Sequence, residues 1–381
     1  MMNEYKASPQ PRFTDFSFSV DGTLIDRKGN IRDGVLLLIN LIKQNYPDAH
    51  INIISSLPYE NAKNAVDQIN SRLAWHGMGP IAPNYSCLSG AVFVESNGRA
   101  YTATSLPADF IKGAIEIAKY HDPMATVYLN VCDDIDLTAI DKDLYGDAQG
   151  QRALSVQHKS EFHSESWIKR NLYDRVVEYL KTKVQPDFPT EAVSKQQFEE
   201  DLEQNKVRTI QMSSISKTFS KEIFGDLKKY AAEYNQANGT NIKITPGSAA
   251  IEISSNGKEW GYAQLIGTPN EKHMYIGDGN NDCKILEAVK NAGGCAIGFR
   301  KMPAAKSGNY AATEFDQVIK IIKHEHAGGH PNEYADTKTA REEIENQSDS
   351  KFLGVISAIH TPLATPVAKV KSLFNENPMD K

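Results

Sequence analysis

The chain has 381 residues, 40% hydrophobic and 24% charged, enough for two compact cores and a tail. Its formal net charge of −6, with no block of Lys and Arg, argues against a nucleic-acid or anionic-membrane surface. Cys87, Cys132, Cys283 and Cys295 lie too far apart for a zinc site or a dense disulfide framework. There is no apolar signal core at the N-terminus and no apolar run of about 18 residues, so no transmembrane segment is expected. A cytoplasmic protein with reduced thiols is the expectation, and secretion without an N-terminal signal stays open.

Residues 13–20 read as a buried strand, 32–45 as a helix with a thick apolar face, and 50–54 as a second strand closed by Ser55-Ser56. A helix over 59–75 follows, then strands near 87–94 and 99–104 joined by Ser96-Asn97-Gly98. Strand and helix in alternation predict a parallel sheet covered on both faces.

The middle of the chain has a different grain. Helical patterns at about 107–120, 164–182, 194–204 and 219–235 alternate with strands near 125–131, 207–213, 241–245 and 249–254, with a polar loop at 141–163. The first grain returns near 272, where HMYIGDGNND is a strand running into an acidic, Gly-rich loop. A helix over about 282–291, a strand at 295–299 and a helix at 315–326 complete it. From 327 the composition turns polar, read as linker or solvated helix. The more apolar 352–374, broken by Pro362 and Pro366, either docks on the body or meets a protein partner. Tyr128, Trp167 and Tyr173 read as packing residues, and His324, His326 and His330 as solvated surface.

Three polar loops follow apolar strands: SVDGT at 19–23, SS at 55–56 and GDGNND at 277–282. In an open parallel sheet the C-terminal strand ends share one edge, where ligands bind. Asp21, Asp278 and Asp282 would cluster there. Clustered carboxylates repel one another unless a cation sits between them, and hard oxygen donors suit Mg2+.

These residues resemble the haloacid dehalogenase (HAD) superfamily, in its Cof-like phosphatase branch with a large α/β cap. The motifs that carry the resemblance are Ser19-Val20-Asp21-Gly22-Thr23, Ser55, Lys258 in SNGKEWGYAQL, and the intact Gly277-Asp278-Gly279-Asn280-Asn281-Asp282. The resemblance implies an α/β fold: a HAD-like, Rossmann-type parallel sheet core with an inserted α/β cap and a C-terminal extension. The core would hold 12–103 and 247–326, the cap 104–246, and the linker and tail 327–381. It also implies a phosphohydrolase with Mg2+ as cofactor, acting on a phosphorylated small molecule or a phosphoprotein. Asp21 would be the general acid/base, its backbone carbonyl a metal ligand. Asp278 would be a direct ligand, with Asp282 a ligand or an orienter of one. Ser55, Ser56, Lys258, Gly22 and Asn281 would hold the phosphate.

The pattern breaks at the position where the family carries its aspartate nucleophile, which is Ser19 here. A neutral hydroxyl is a poor nucleophile without a base and an uncharged metal ligand. Asp15 lies four residues back along the strand, about 13 Å away at ~3.3 Å per residue, too far to substitute. The family's Thr-Gly-Arg, Asn-Gly-Ala and Gly-Asn-Ala stand here as Ser55-Ser56-Leu57, Ser89-Gly90-Ala91 and Gly298-Phe299-Arg300. Two functions are therefore expected as alternatives: a phosphohydrolase with impaired or altered turnover, or a pseudophosphatase that binds a phospho-ligand or a protein.

Overall fold

The computed structural model describes most of residues 12–345. Outside it lie 1–11, 27, 104, 123–124, 133–135, 138–155, 161–189, 194–199, 201–202, 205, 215–216, 247–249, 330–333, 335 and 346–381. The expected helix at 164–182, the residues Trp167, Tyr173 and His330, and the tail segment 352–374 fall on residues outside the description.

Two sheets organise the described residues. The first is nine-stranded and centred on β1 (Asp15–Phe18), flanked by β13 (His273–Gly277) and β2 (His50–Ile54). Beyond β13 lie β14 (Cys295–Phe299) and β15 (Tyr310–Ala312); beyond β2 lies β3 (Asn84–Cys87). These six strands are parallel. The edge is extended antiparallel by β4 (Val92–Val94), β5 (Ala100–Thr102) and β7 (Asp136–Leu137). All five residues of β13 and all five of β14 are buried, as a parallel sheet covered on both faces requires. Phe16, Phe18, Met274 and Ile276 pack one face, against Val35, Leu38 and Ile42 of α1 (Val35–Asn45) and Val66 and Ile69 of α2 (Tyr59–Trp75). Tyr275, Tyr262, Ile285, Leu286 and Val289 pack the other. Each such side chain contributes about 1.5–3 kcal/mol on burial.

The second sheet runs in the order β11 (Lys243–Pro246), β12 (Ile251–Ser254), β10 (Val207–Ser213), β6 (Thr126–Val131), β8 (Val156–Ser160), β9 (Thr190–Val193). Its own core joins Val127, Leu129, Ile210 and Ile253 to Phe110 and Ile111 of α3 (Ala108–His121) and Ile223 and Leu227 of α4 (Lys217–Asn238). Two strands cross the boundary read from the sequence. β12, assigned there to the core, pairs with β10 in the second sheet, while β7, assigned to the cap, pairs with β5 in the first. Hydrogen bonding rather than chain order decides membership.

Three further differences bear on the site. The apolar run at 87–94 is not one strand: Leu88, Ser89 and Gly90 all take positive φ, 48°, 53° and 87°, and reverse the chain between β3 and β4. The short helix Met302–Ser307 and the strand β15 had no periodic signal, being too brief to show one. Residues 336–345, expected as linker or solvated helix, form a helix whose Ala340 and Ile344 are buried against Ala305 and Ala311. Its Arg341 donates from Nε to Ala305 O at 3.0 Å, tying the helix to the first layer.

Candidate functional site

The strand order places β1 at the switch point of the parallel sheet, where the chain leaves toward β2 on one side and returns in β13 on the other. The loops after β1, β2, β13 and β14 therefore open on one edge, the place where such sheets bind ligands. They carry Ser19 to Thr23, Ser55 to Leu57, Asp278 to Asp282, and Arg300 with Lys301.

Ser19 is 4% exposed, with its backbone N–H donated to Ile276 O at 2.9 Å. Lys258 heads α5 (Lys258–Ile266) and is buried; its Nζ donates to Ser19 Oγ at 2.9 Å and to Asp282 Oδ1 at 2.5 Å. Asp282 is 0% exposed, and both its oxygens are occupied: Oδ1 also accepts from Tyr275 OH at 2.6 Å, Oδ2 from Gly279 N–H at 2.8 Å. Asp282 thus anchors the lysine and the Gly279 loop, using three of the four lone-pair positions of its carboxylate.

Asp278 lies on the other side of Ser19's loop. It is 3% exposed; Oδ1 accepts from Thr23 Oγ1 at 3.3 Å, and Oδ2, which has no hydrogen bond, forms an ion pair with Lys301. Gly22, at φ 74°, lets this loop close: a Cβ there would overlap Asp278 Oδ2. Gly22 O accepts from Arg32 Nε at 3.1 Å, so Gly22 builds the loop with its backbone. Asp21 follows β1 with its side chain toward solvent. Crowding by protein, then the neighbouring Asp278 charge, push its carboxyl up to about 6, with Lys258 and Lys301 opposing. Burial raises Asp278 as well, against the pull of Lys301.

A third group completes the edge. Ser55 Oγ accepts from Leu57 N–H at 3.0 Å, and Ser56 Oγ accepts from Asn281 Nδ2 at 3.3 Å. Ser89, at its positive φ, donates to Glu252 of β12. Burial raises the Glu252 carboxyl, while Ser89, Lys258 and Ser56 oppose. The sequence reading missed Glu252, Tyr275 and Lys301. The only trace of the first is a lone glutamate in the apolar AAIEIS. Above this floor opens a cavity of about 380 Å3 between the two layers, lined by Lys258, Glu252 and Asn281 below and Lys228, Lys243 and Thr245 above.

Mg2+ was the cofactor expected of Asp21, Asp278 and Asp282. The donors present fit the ion poorly: Asp282 Oδ1 is taken by Lys258 and Tyr275, and Asp278, the expected direct ligand, carries Lys301 on Oδ2. Ser19 adds no charge. Among the described residues no group of three or more His, Cys, Asp or Glu side chains converges to hold a metal ion. His324 and His326 take no part: His326 contacts Tyr46 OH at 3.0 Å, and the His324 ring lies tilted at 47° beside that of Tyr334. None of the described helices is long and apolar enough to cross a membrane.

Residues 16–298 match the model of the haloacid dehalogenase-like hydrolases. SMU.1108c from Streptococcus mutans UA159 superposes with a TM-score of 0.55 at 16% identity, over 83% of this chain and 99% of that one. The subclass IIB sugar phosphatase BT4131 gives 0.50 at 15% identity, over 83% and 99%. BT1666 from Bacteroides thetaiotaomicron, from a study of HAD phosphatases, gives 0.50 at 15%, over 82% and 94%. No curated protein matches the chain by sequence. At these identities the likeness is one of fold.

Proposed function

The chain belongs to the haloacid dehalogenase-like hydrolase family, and from that premise we propose that it binds a phosphorylated small molecule without turning it over through an aspartyl-phosphate. The observation that carries this is Ser19. Its hydroxyl stands where the family's carboxylate attacks, and its side-chain hydrogen bond is one received from Lys258. No carboxylate or imidazole among the described residues hydrogen-bonds it, so nothing takes its proton. In a serine protease, loss of the nucleophile lowers turnover on the order of a millionfold.

The phosphate would meet Lys258, the Ser55 loop, Asn281 and the backbone at Gly22. The organic part would enter the cavity of about 380 Å3 beneath Lys228 and Lys243, a size that suits a small molecule. One observation supports a second reading, slow hydrolysis by water: Asp21, pushed up to about 6, is tuned for general acid–base work near neutrality. Phosphate release from an aryl phosphate, alongside calorimetric binding of inorganic phosphate, tests the two. Binding without release is expected. Release that Asp21→Asn abolishes would overturn the binding-only reading in favour of the second.

A further inference from the structure

We propose that the Lys301 ammonium occupies the place of the divalent cation, so that the anion site of this chain is complete without metal. The inference rests on the phosphate-site reading above. Its first support is position. The buried Asp278, expected as a direct metal ligand, has its unbonded oxygen Oδ2 against Lys301 Nζ.

The second support is charge. The family pattern places aspartates at both 19 and 21, which with Asp278 and Asp282 makes four carboxylates facing one lysine. A divalent cation brings that arrangement to a net charge of −1. Here Ser19 removes one negative charge and Lys301 adds one positive. Asp21, Asp278 and Asp282 against Lys258 and Lys301 reach the same −1 with no metal. An added Mg2+ would face two ammonium groups where the family pattern has one.

The third support is how the lysine gets there. Arg300 takes φ 60°, uncommon for a non-glycine residue. It is pinned by its N–H to Ala312 O at 2.9 Å and by Nη1 to Thr313 O at 3.0 Å and Glu314 Oε1 at 2.8 Å. That turn follows β14 and points the chain back over the β13 loop, where Lys301 meets Asp278. The sequence Gly298-Phe299-Arg300, already a departure from the family, thus builds the arm that delivers the lysine.

Calorimetric titration with MgCl2, and separately with inorganic phosphate in Mg2+ or in EDTA, tests this on the full chain, Ser19→Asp, and Ser19→Asp/Lys301→Ala. The unmodified chain is expected to show no saturable Mg2+ binding and equal phosphate binding in both buffers. The double variant is expected to bind Mg2+ at least about tenfold tighter than Ser19→Asp, ~1.4 kcal/mol. Saturable Mg2+ binding by the unmodified chain overturns the proposal. So does equal Mg2+ affinity in the two variants, since Lys301 would then not be what bars the metal. If the Mg2+ results come out as expected but phosphate binds in neither buffer, the lysine assignment stands and the phosphate-site reading falls.

Discussion

Lys258 Nζ donates to Ser19 Oγ across 2.9 Å, although 239 residues separate the two in the chain. The same ammonium holds Asp282 at 2.5 Å, and both partners of that ion pair are buried. One lysine therefore joins the loop after β1 to the loop after β13.

Removing Lys258 would leave Asp282 charged in the interior with only Tyr275 and the Gly279 N–H as partners. Lys258→Met is expected to cost about 3–5 kcal/mol in urea denaturation. The pair Lys258→Met/Asp282→Leu is expected to recover much of that loss, because no unpaired charge remains. An additive loss would show that the ion pair is not what holds these loops.

Ser19→Asp places a carboxylate at the end of β1, next to the Lys258 ammonium. In combination with Lys301→Ala it is expected to release phosphate from an aryl phosphate in the presence of Mg2+. Steady-state phosphate detection compares it with the unmodified chain, for which no release above buffer is expected. Equal rates in the two proteins would mean that turnover does not depend on position 19.

Asp21 has its carboxyl pushed from 3.8 to about 6 in the folded protein, first by crowding out of water and then by Asp278. The folded state holds this proton more tightly than the unfolded state does. Its contribution to stability is therefore full below pH ~4 and lost as pH rises through about 6. Asp21→Asn is expected to match the unmodified chain near pH 4 and to be more stable above pH ~6. The gain is on the order of 1 kcal/mol, less than the full shift implies because the side chain reaches solvent. Melting temperature against pH reads this directly, and a gain confined to acid pH would reverse the sign.

Ile344 is 2% exposed and packs with Ala340 against Ala305 and Ala311. Ile344→Ala is expected to lose about 2–4 kcal/mol. Protease cleavage near 336–345 should rise with it, since Ala340, Arg341 through Ala305 O and Gly308 O, and Glu343 through Thr313 Oγ1 are then left to hold the helix. An unchanged digestion pattern would mean the helix is not docked in solution.

Much of this was written locally. A parallel strand buried on both faces leaves an unbroken apolar run, so His273–Gly277 and Cys295–Phe299 were visible, as was the polar loop that ends each strand. Gly277 to Asp282, Lys258, and the serine at 19 could be read as one site because ordered motifs at strand ends must share an edge. The sequence by itself determined the sheet, its ligand edge and the serine at position 19. Only the tertiary structure decided who neutralises whom. Apolar periodicity records which side of a strand is buried, not which distant side chain it meets. Glu252 enters the site because β12 pairs with β10, and Lys301 because Arg300 turns left-handed after β14. Neither event leaves a period in the chain, and together they give Asp278 a lysine where three carboxylates had implied a metal.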